Sequence, residues 1–286
     1  MTHAVSETWT LGELTVRRMG FGAMRLPGPP GERVSGDRER AVAVLHRARE
    51  LGVNFIDTAA FYFSPLLSAN ELINSALGPY PEDVVIATKV GPGRDPGGEW
   101  YSARPDQLRG QVEQNLRELG REHLDLVYLR RMSQESIAEH FGVLAELREA
   151  GLIRELGVSS ITPKHLAEAQ EIAPVVAVQN RLSLDVRVND EVLRLCTERG
   201  IAFVAYYAIA GDGRESGFDA GTKHQAVAEV AAAHGASVAQ IRLAWTLHQG
   251  PNVLAIPGTS SLKHLEENVA AGDLHLTDQE LERLER

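Results

Sequence analysis

One cysteine, Cys196, stands in a chain of 286 residues. That excludes an intrachain disulfide and a zinc cluster built from thiolates. Cys196 lies in EVLRLCTERG, whose apolar residues recur at helical spacing, so it reads as a core thiol rather than a nucleophile. Positive charge is also scarce: 29 Lys and Arg against 39 Asp and Glu leave a net charge of −10. Such a balance disfavours nucleic acid and anionic membrane surfaces as partners. No apolar run approaches the roughly 18–20 residues that a bilayer-spanning helix needs. The opening MTHAVSETWT has neither a basic n-region nor an apolar h-region, so no signal peptide is expected and a cytoplasmic location is. The histidines are scattered without H-E-x-x-H or comparable spacing, and His224, His234 and His248 read as ordinary helix residues, so no metal site is expected. Nor does a linker-like or low-complexity stretch divide the chain, which predicts one domain over residues 1–286.

What is present is a repeated unit. An amphipathic helix, a glycine and a short β-branched run recur along the chain, as in RAVAVLHRARELG followed by VNFIDT. Gly52, Gly120, Gly151, Gly200 and Gly250 sit where a left-handed residue would end each helix. With VVIATKV, VVAVQN and a short RMGFGA, the strand candidates reach eight. Helices between parallel strands imply an α/β fold, and closure at eight strands is a (β/α)8 TIM barrel. TWTLGELTV reads as an N-terminal hairpin plugging its bottom. The rival is an open dinucleotide-binding sheet, but GFGAMR carries Arg25 where G-x-G-x-x-G needs its third glycine. RLPGPPGERVSGD and AGDGRESGFDAGTK follow strands, and loops at the carboxyl ends of barrel strands build sites.

Polar residues crowd those carboxyl ends. NFIDTAAFY ends its strand in Asp57, with Tyr62 in the following loop; VVIATK ends in Lys89; LDLVYL ends in Arg130. Alternation sends Arg130 and Arg131 to opposite faces, so only one reaches the mouth. Taken singly, each residue has an ordinary structural reading, as a cap, a snorkelling lysine, a packed ring or an ion pair. Together they point to proton transfer. A phenol titrates near pH 10 unaided; a neighbouring ammonium favours the phenolate, and a carboxylate beyond it keeps the ammonium charged. Asp57, Lys89 and Tyr62 have that logic, with tyrosine protonating a carbonyl oxygen as hydride reaches its carbon.

These residues, with GLIRELGVSS, VVAVQNRLS and AIPGTSSLKHLEEN, resemble the aldo-keto reductase family, and within it the bacterial pyridoxal reductase type. The resemblance implies NADPH (NADP+), rather than NADH, lying extended across the barrel mouth, and a small-molecule carbonyl substrate. It makes Asp57, Tyr62, Lys89 and Arg130 the catalytic set. It assigns Ser159 and Gln179 to the cofactor carboxamide and Tyr206 to stacking under the nicotinamide. Gly22, Ala23 and Met24 also fall to the cofactor, as do Gly258, Thr259, Ser260, His264, Glu267 and Asn268 on its adenosine half. Departures are visible: Gly258 and His264 replace basic residues, GVSS replaces GVSN, YYAIAG replaces YSPLG, and Arg130 replaces a histidine. The alternatives are reduction of a carbon–carbon double bond next to a carbonyl, and a non-catalytic module that senses the cofactor.

Overall fold

Alternation along each strand sorts the core into two layers. The computed structural model describes residues 8–28, 37–95, 97–209 and 222–286, the side chains of 222–224 excepted. The AGDGRESGFDAGTK loop up to its Thr222, most of RLPGPPGERVSGD and the His224 side chain lie outside the described residues. The central strands are β1 (Phe21–Gly22), β2 (Phe55–Asp57), β3 (Val85–Val90) and β4 (Leu124–Arg130). They continue with β5 (Ile153–Ser159), β6 (Ala177–Arg181), β7 (Ala202–Tyr206) and β8 (Val253–Ala255). All pair in parallel, each with its neighbour in sequence. Backbone bonds from Ala255 N to Arg18 O (2.9 Å) and Gly20 N to Ala255 O (2.8 Å) join the ends, closing the eight-stranded barrel.

Helices wrap this barrel: α1 (Arg38–Glu50), α2 (Ala69–Leu77), α3 (Pro105–Leu119), α4 (Ala138–Glu149), α5 (Pro163–Ile172) and α6 (Asp190–Glu198). Both α7 (Thr222–His234) and α8 (Val238–His248) lie between β7 and β8, and α9 (Leu262–Ala270) and α10 (Asp278–Glu285) follow. Their starts are written locally. Asp37, Ser68, Ser237 and Ser261 each accept a backbone N–H of the first turn, supplying an acceptor that the helix itself lacks. Of the five glycines expected at helix ends, four behave so. Gly52, Gly120, Gly151 and Gly200 have φ between 64° and 85° after their helices. Gly250 does not have positive φ; α8 stops at His248, and the Gly250 carbonyl accepts from Arg18 instead. That glycine is required by a close approach to Asn252, not by a left-handed turn.

Outward-facing residues such as Ile56, Ile86, Val127 and Phe203 meet the helices in the larger core. Inward-facing Phe55, Leu126, Val204 and Leu254 meet Leu11, Leu14 and Val16, so the hairpin of Thr8–Leu11 and Leu14–Arg17 does plug the bottom. Gly12 turns over the buried Glu155 of β5, whose carboxylate accepts the Glu13 N–H at 3.0 Å. At the seam Arg18 is only 2% exposed. Its guanidinium donates to the carbonyls of Val253 (3.0 Å), Gly250 (2.6 Å) and Leu247.

Cutting Arg18 back to alanine leaves three buried carbonyls without that donor at the closing edge. Arg18→Ala is expected to destabilise the protein by about 3 kcal/mol or more, read as a lowered urea midpoint. Arg18→Lys should recover little, since a point charge cannot span three acceptors.

Candidate active site at the barrel mouth

β2 and β3 run side by side with Asp57 opposite Ala87, so Lys89 projects inward one step nearer the mouth. Both side chains are 3% exposed, and Lys89 Nζ lies 2.5 Å from Asp57 Oδ1. The ammonium also donates to the Thr58 carbonyl at 3.0 Å. The other Asp57 oxygen accepts from Gln179 Nε2 at 2.6 Å. A carboxylate can only accept, so Gln179 must present its NH2 to Asp57 and keep its carbonyl oxygen as the acceptor. Burial is the largest single influence on Lys89 and pulls its pKa down. The Asp57 charge, with Tyr62 nearby and the hydrogen bond to Asp57, more than offsets that, and the net shift is upward. The lysine is therefore a held cation.

Tyr62 is delivered by the turn after β2. Its N–H donates to Ala59 O at 2.9 Å and its carbonyl accepts from Ala69, the first residue of α2, at 2.9 Å. Lys89 Nζ sits 5.0 Å from its ring centroid. Phe61 braces the ring edge-on, 5.1 Å away. A second phenol, Tyr128, lies sealed inside the barrel at 0% exposure. Burial, then the Asp57 charge, pushes its pKa well above 10, so it stays protonated and cannot compete as a proton donor. Burial likewise raises the Cys196 thiol to about 12, in keeping with a core thiol.

The mouth opens into a cavity of about 280 Å³. Asp57, Tyr62, Lys89, Arg130, Ser159, Gln179 and Tyr206 all line it, as do Gly22, Met24 and Gly258. Arg130 reaches the mouth while Arg131 turns aside and donates to Gln134 O at 2.8 Å, the division that strand alternation requires. Ala23 is fully buried and does not line the cavity. Thr259, Ser260, His264, Glu267 and Asn268 stand beyond it, in the turn before α9 and along that helix. Sequence reasoning missed Arg25, Tyr207 and Ile256, which also line the cavity. Arg25 was weighed only as a missing glycine, although a charged side chain directly after a barrel strand is itself a signal.

Three departures from the family pattern have local structural correlates. A Cβ on Gly258 would lie 2.5 Å from the Gly22 carbonyl oxygen, and one on Gly22 would lie 2.6 Å from that of Ile256. Any side chain at position 258 must therefore displace backbone at the barrel seam. Ser160 and Tyr207, in GVSS and YYAIAG, are non-glycine residues with φ of 59° and 58°. Strain of this kind persists where surroundings hold it, and it collects at functional sites. Ser160 Oγ lies 3.3 Å from the Tyr206 hydroxyl, tying the two loops together.

A sequence profile of the Aldo/keto reductase family matches residues 18–286. A pyridoxine 4-dehydrogenase of Escherichia coli (strain K12) is 40% identical over 288 aligned positions, covering 98% of each chain. Among solved structures, an aldo/keto reductase from Klebsiella pneumoniae in complex with NADP and acetate superposes with a TM-score of 0.80. It is 27% identical, over 98% of this chain and 94% of that one. A glycerol dehydrogenase from Gluconobacter oxydans gives a TM-score of 0.85 at 25% identity, over 99% of this chain and 94% of that one.

Lys89→Met leaves the Asp57 carboxylate buried with Gln179 alone, which is expected to cost about 3–5 kcal/mol in urea unfolding. Adding Asp57→Asn should return part of that loss. Because Lys89 binds its proton more tightly folded than unfolded, its contribution is complete below its unfolded pKa near 10.5 and fades as pH rises through the higher folded value. The stability gap between wild type and Lys89→Met should thus narrow on raising pH beyond 10.5.

Proposed function

Because the chain belongs to the aldo/keto reductase family, we propose that residues 1–286 act as one barrel domain reducing a small-molecule aldehyde or ketone with NADPH. The observation that carries this reading is the buried Lys89, paired with Asp57 and lying 5.0 Å from the Tyr62 ring centroid, with all three residues lining the cavity. The mouth fits a dinucleotide. Gly22 and Gly258 bare the backbone on one side, and Gln179 offers a carbonyl oxygen to a carboxamide. The opening turn of α9, with Lys263 and His264 beside it, suits an anionic group. NADP in the Klebsiella relative supports NADPH over NADH.

When bound, NADPH supplies the hydride that the carbonyl carbon receives. Tyr62 passes its proton to the carbonyl oxygen and recovers one from solvent, so one carbonyl, one NADPH and one proton give one alcohol and one NADP+. Lys89 stabilises the phenolate left behind, and Asp57 holds Lys89 in register. Arg130 donates an N–H to the same carbonyl oxygen but keeps its own proton, acting as a fixed charge rather than a relay. The likeness to a pyridoxine 4-dehydrogenase supports pyridoxal as a substrate. No helix among the described residues is long and apolar enough to cross a membrane, and the proposed location is the cytoplasm.

Mixing the protein with NADPH and pyridoxal should bleach NADPH absorbance and yield the alcohol. A saturated carbonyl formed from an unsaturated one would point to double-bond reduction instead. Tyr62→Phe should lower kcat by about 10²–10⁴-fold while NADPH affinity stays near wild type. Undiminished turnover in that variant would exclude Tyr62 as the proton donor.

A further inference from the structure

Among the described residues Arg130 makes no hydrogen bond or ion pair; its guanidinium stands 5.6 Å from the Phe61 ring centroid and lines the cavity. Arg18, by contrast, is committed to three carbonyls and Arg131 to one. Arg25 lines the same cavity, also without an ion-pair partner among the described residues. The Asp57 carboxylate, a lining group of opposite sign, is matched by Lys89. Among the described lining residues, positive side chains therefore outnumber negative ones, on a chain whose net charge is −10. Met24, Ile209 and Ile256 give it apolar cover that suits a flat ring.

We propose that Arg130 selects aromatic aldehydes bearing an ionised hydroxyl on the ring carbon next to the aldehyde. A guanidinium edge presents two parallel N–H groups. One meets the carbonyl oxygen that Tyr62 protonates. The second then points to the atom beside it, and an ortho oxygen fills that place and brings a negative charge to a guanidinium that has no ion-pair partner among the described residues. A histidine at position 130 would offer a single N–H in that direction, and a lysine would offer no planar fork. The inference rests on the reductase reading above and narrows it to a substrate class. Pyridoxal, with its ring hydroxyl next to the aldehyde, belongs to that class.

The test compares 2-hydroxybenzaldehyde with its 3- and 4-hydroxy isomers, NADPH being the reductant. The 2- and 4-isomers carry the same donor in conjugation with the aldehyde, so position rather than electronics separates them. Wild type should favour the 2-isomer in kcat/KM by about ten-fold or more, the scale of one charge-assisted hydrogen bond. In Arg130→His and Arg130→Lys the ratio should collapse toward unity, and because it is taken within each variant, a general loss of rate cancels. Should a variant lose turnover altogether, calorimetric binding of 2-hydroxybenzamide against 4-hydroxybenzamide, with NADP+ present, reads the same ratio. Equal use of the isomers by wild type, or a preference that survives both substitutions, overturns the inference and leaves the reductase reading standing. Failure of wild type to turn over any isomer or pyridoxal, with NADPH or NADH, overturns that reading and this inference with it.

Discussion

A carboxylate and an ammonium shut inside a barrel, 2.5 Å apart, hold the rest of the site in place. Such a pair adds little stability of its own, because desolvating two ions consumes most of what their attraction returns. What it supplies is constraint. Asp57 reaches Lys89 with one oxygen and Gln179 with the other, so three strands, β2, β3 and β6, are tied at one level of the barrel. Lys89 can neither lose its proton near neutrality nor swing away, and Tyr62 rests against it. The phenol is thereby set apart from Tyr128, the same side chain placed deeper, where burial disarms it.

That arrangement requires a barrel that closes. Closure depends on the least regular part of the sheet, where β1 is two residues long and β8 three. Few ladder bonds are available there, and side-chain chemistry makes up the deficit. Arg18 binds carbonyls of α8, its following turn and β8, while Gly22 and Gly258 let two backbones approach to a distance that a methyl group would forbid. The same two glycines border the cavity. The seam and the binding surface are thus one structure, which is why position 258 cannot simply take a side chain.

Arg130 gives the site its particular character. A histidine in its place would titrate across the physiological range; an arginine will not, so its contribution is charge and geometry rather than proton traffic. It ends β4 beside Ser159 of β5, among other inward-facing polar groups at the top of the barrel.

Much of this was legible in the chain. Four of five terminating glycines behave as expected, because left-handed turns are decided by neighbours in sequence. Period-two alternation separates Arg130 from Arg131, so that only one reaches the mouth, and the same parity brings Asp57 and Lys89 to one lumen. What no local pattern contains is distance across the barrel. That Gln179 meets Asp57, that Gly250 serves Arg18 rather than a helix end, that Arg25 borders the cavity, and that Gly258 presses on Gly22 follow only once the sheet has curled shut. Side-chain direction is a property of the strand, set residue by residue; which directions converge is a property of closure, set by all eight strands together.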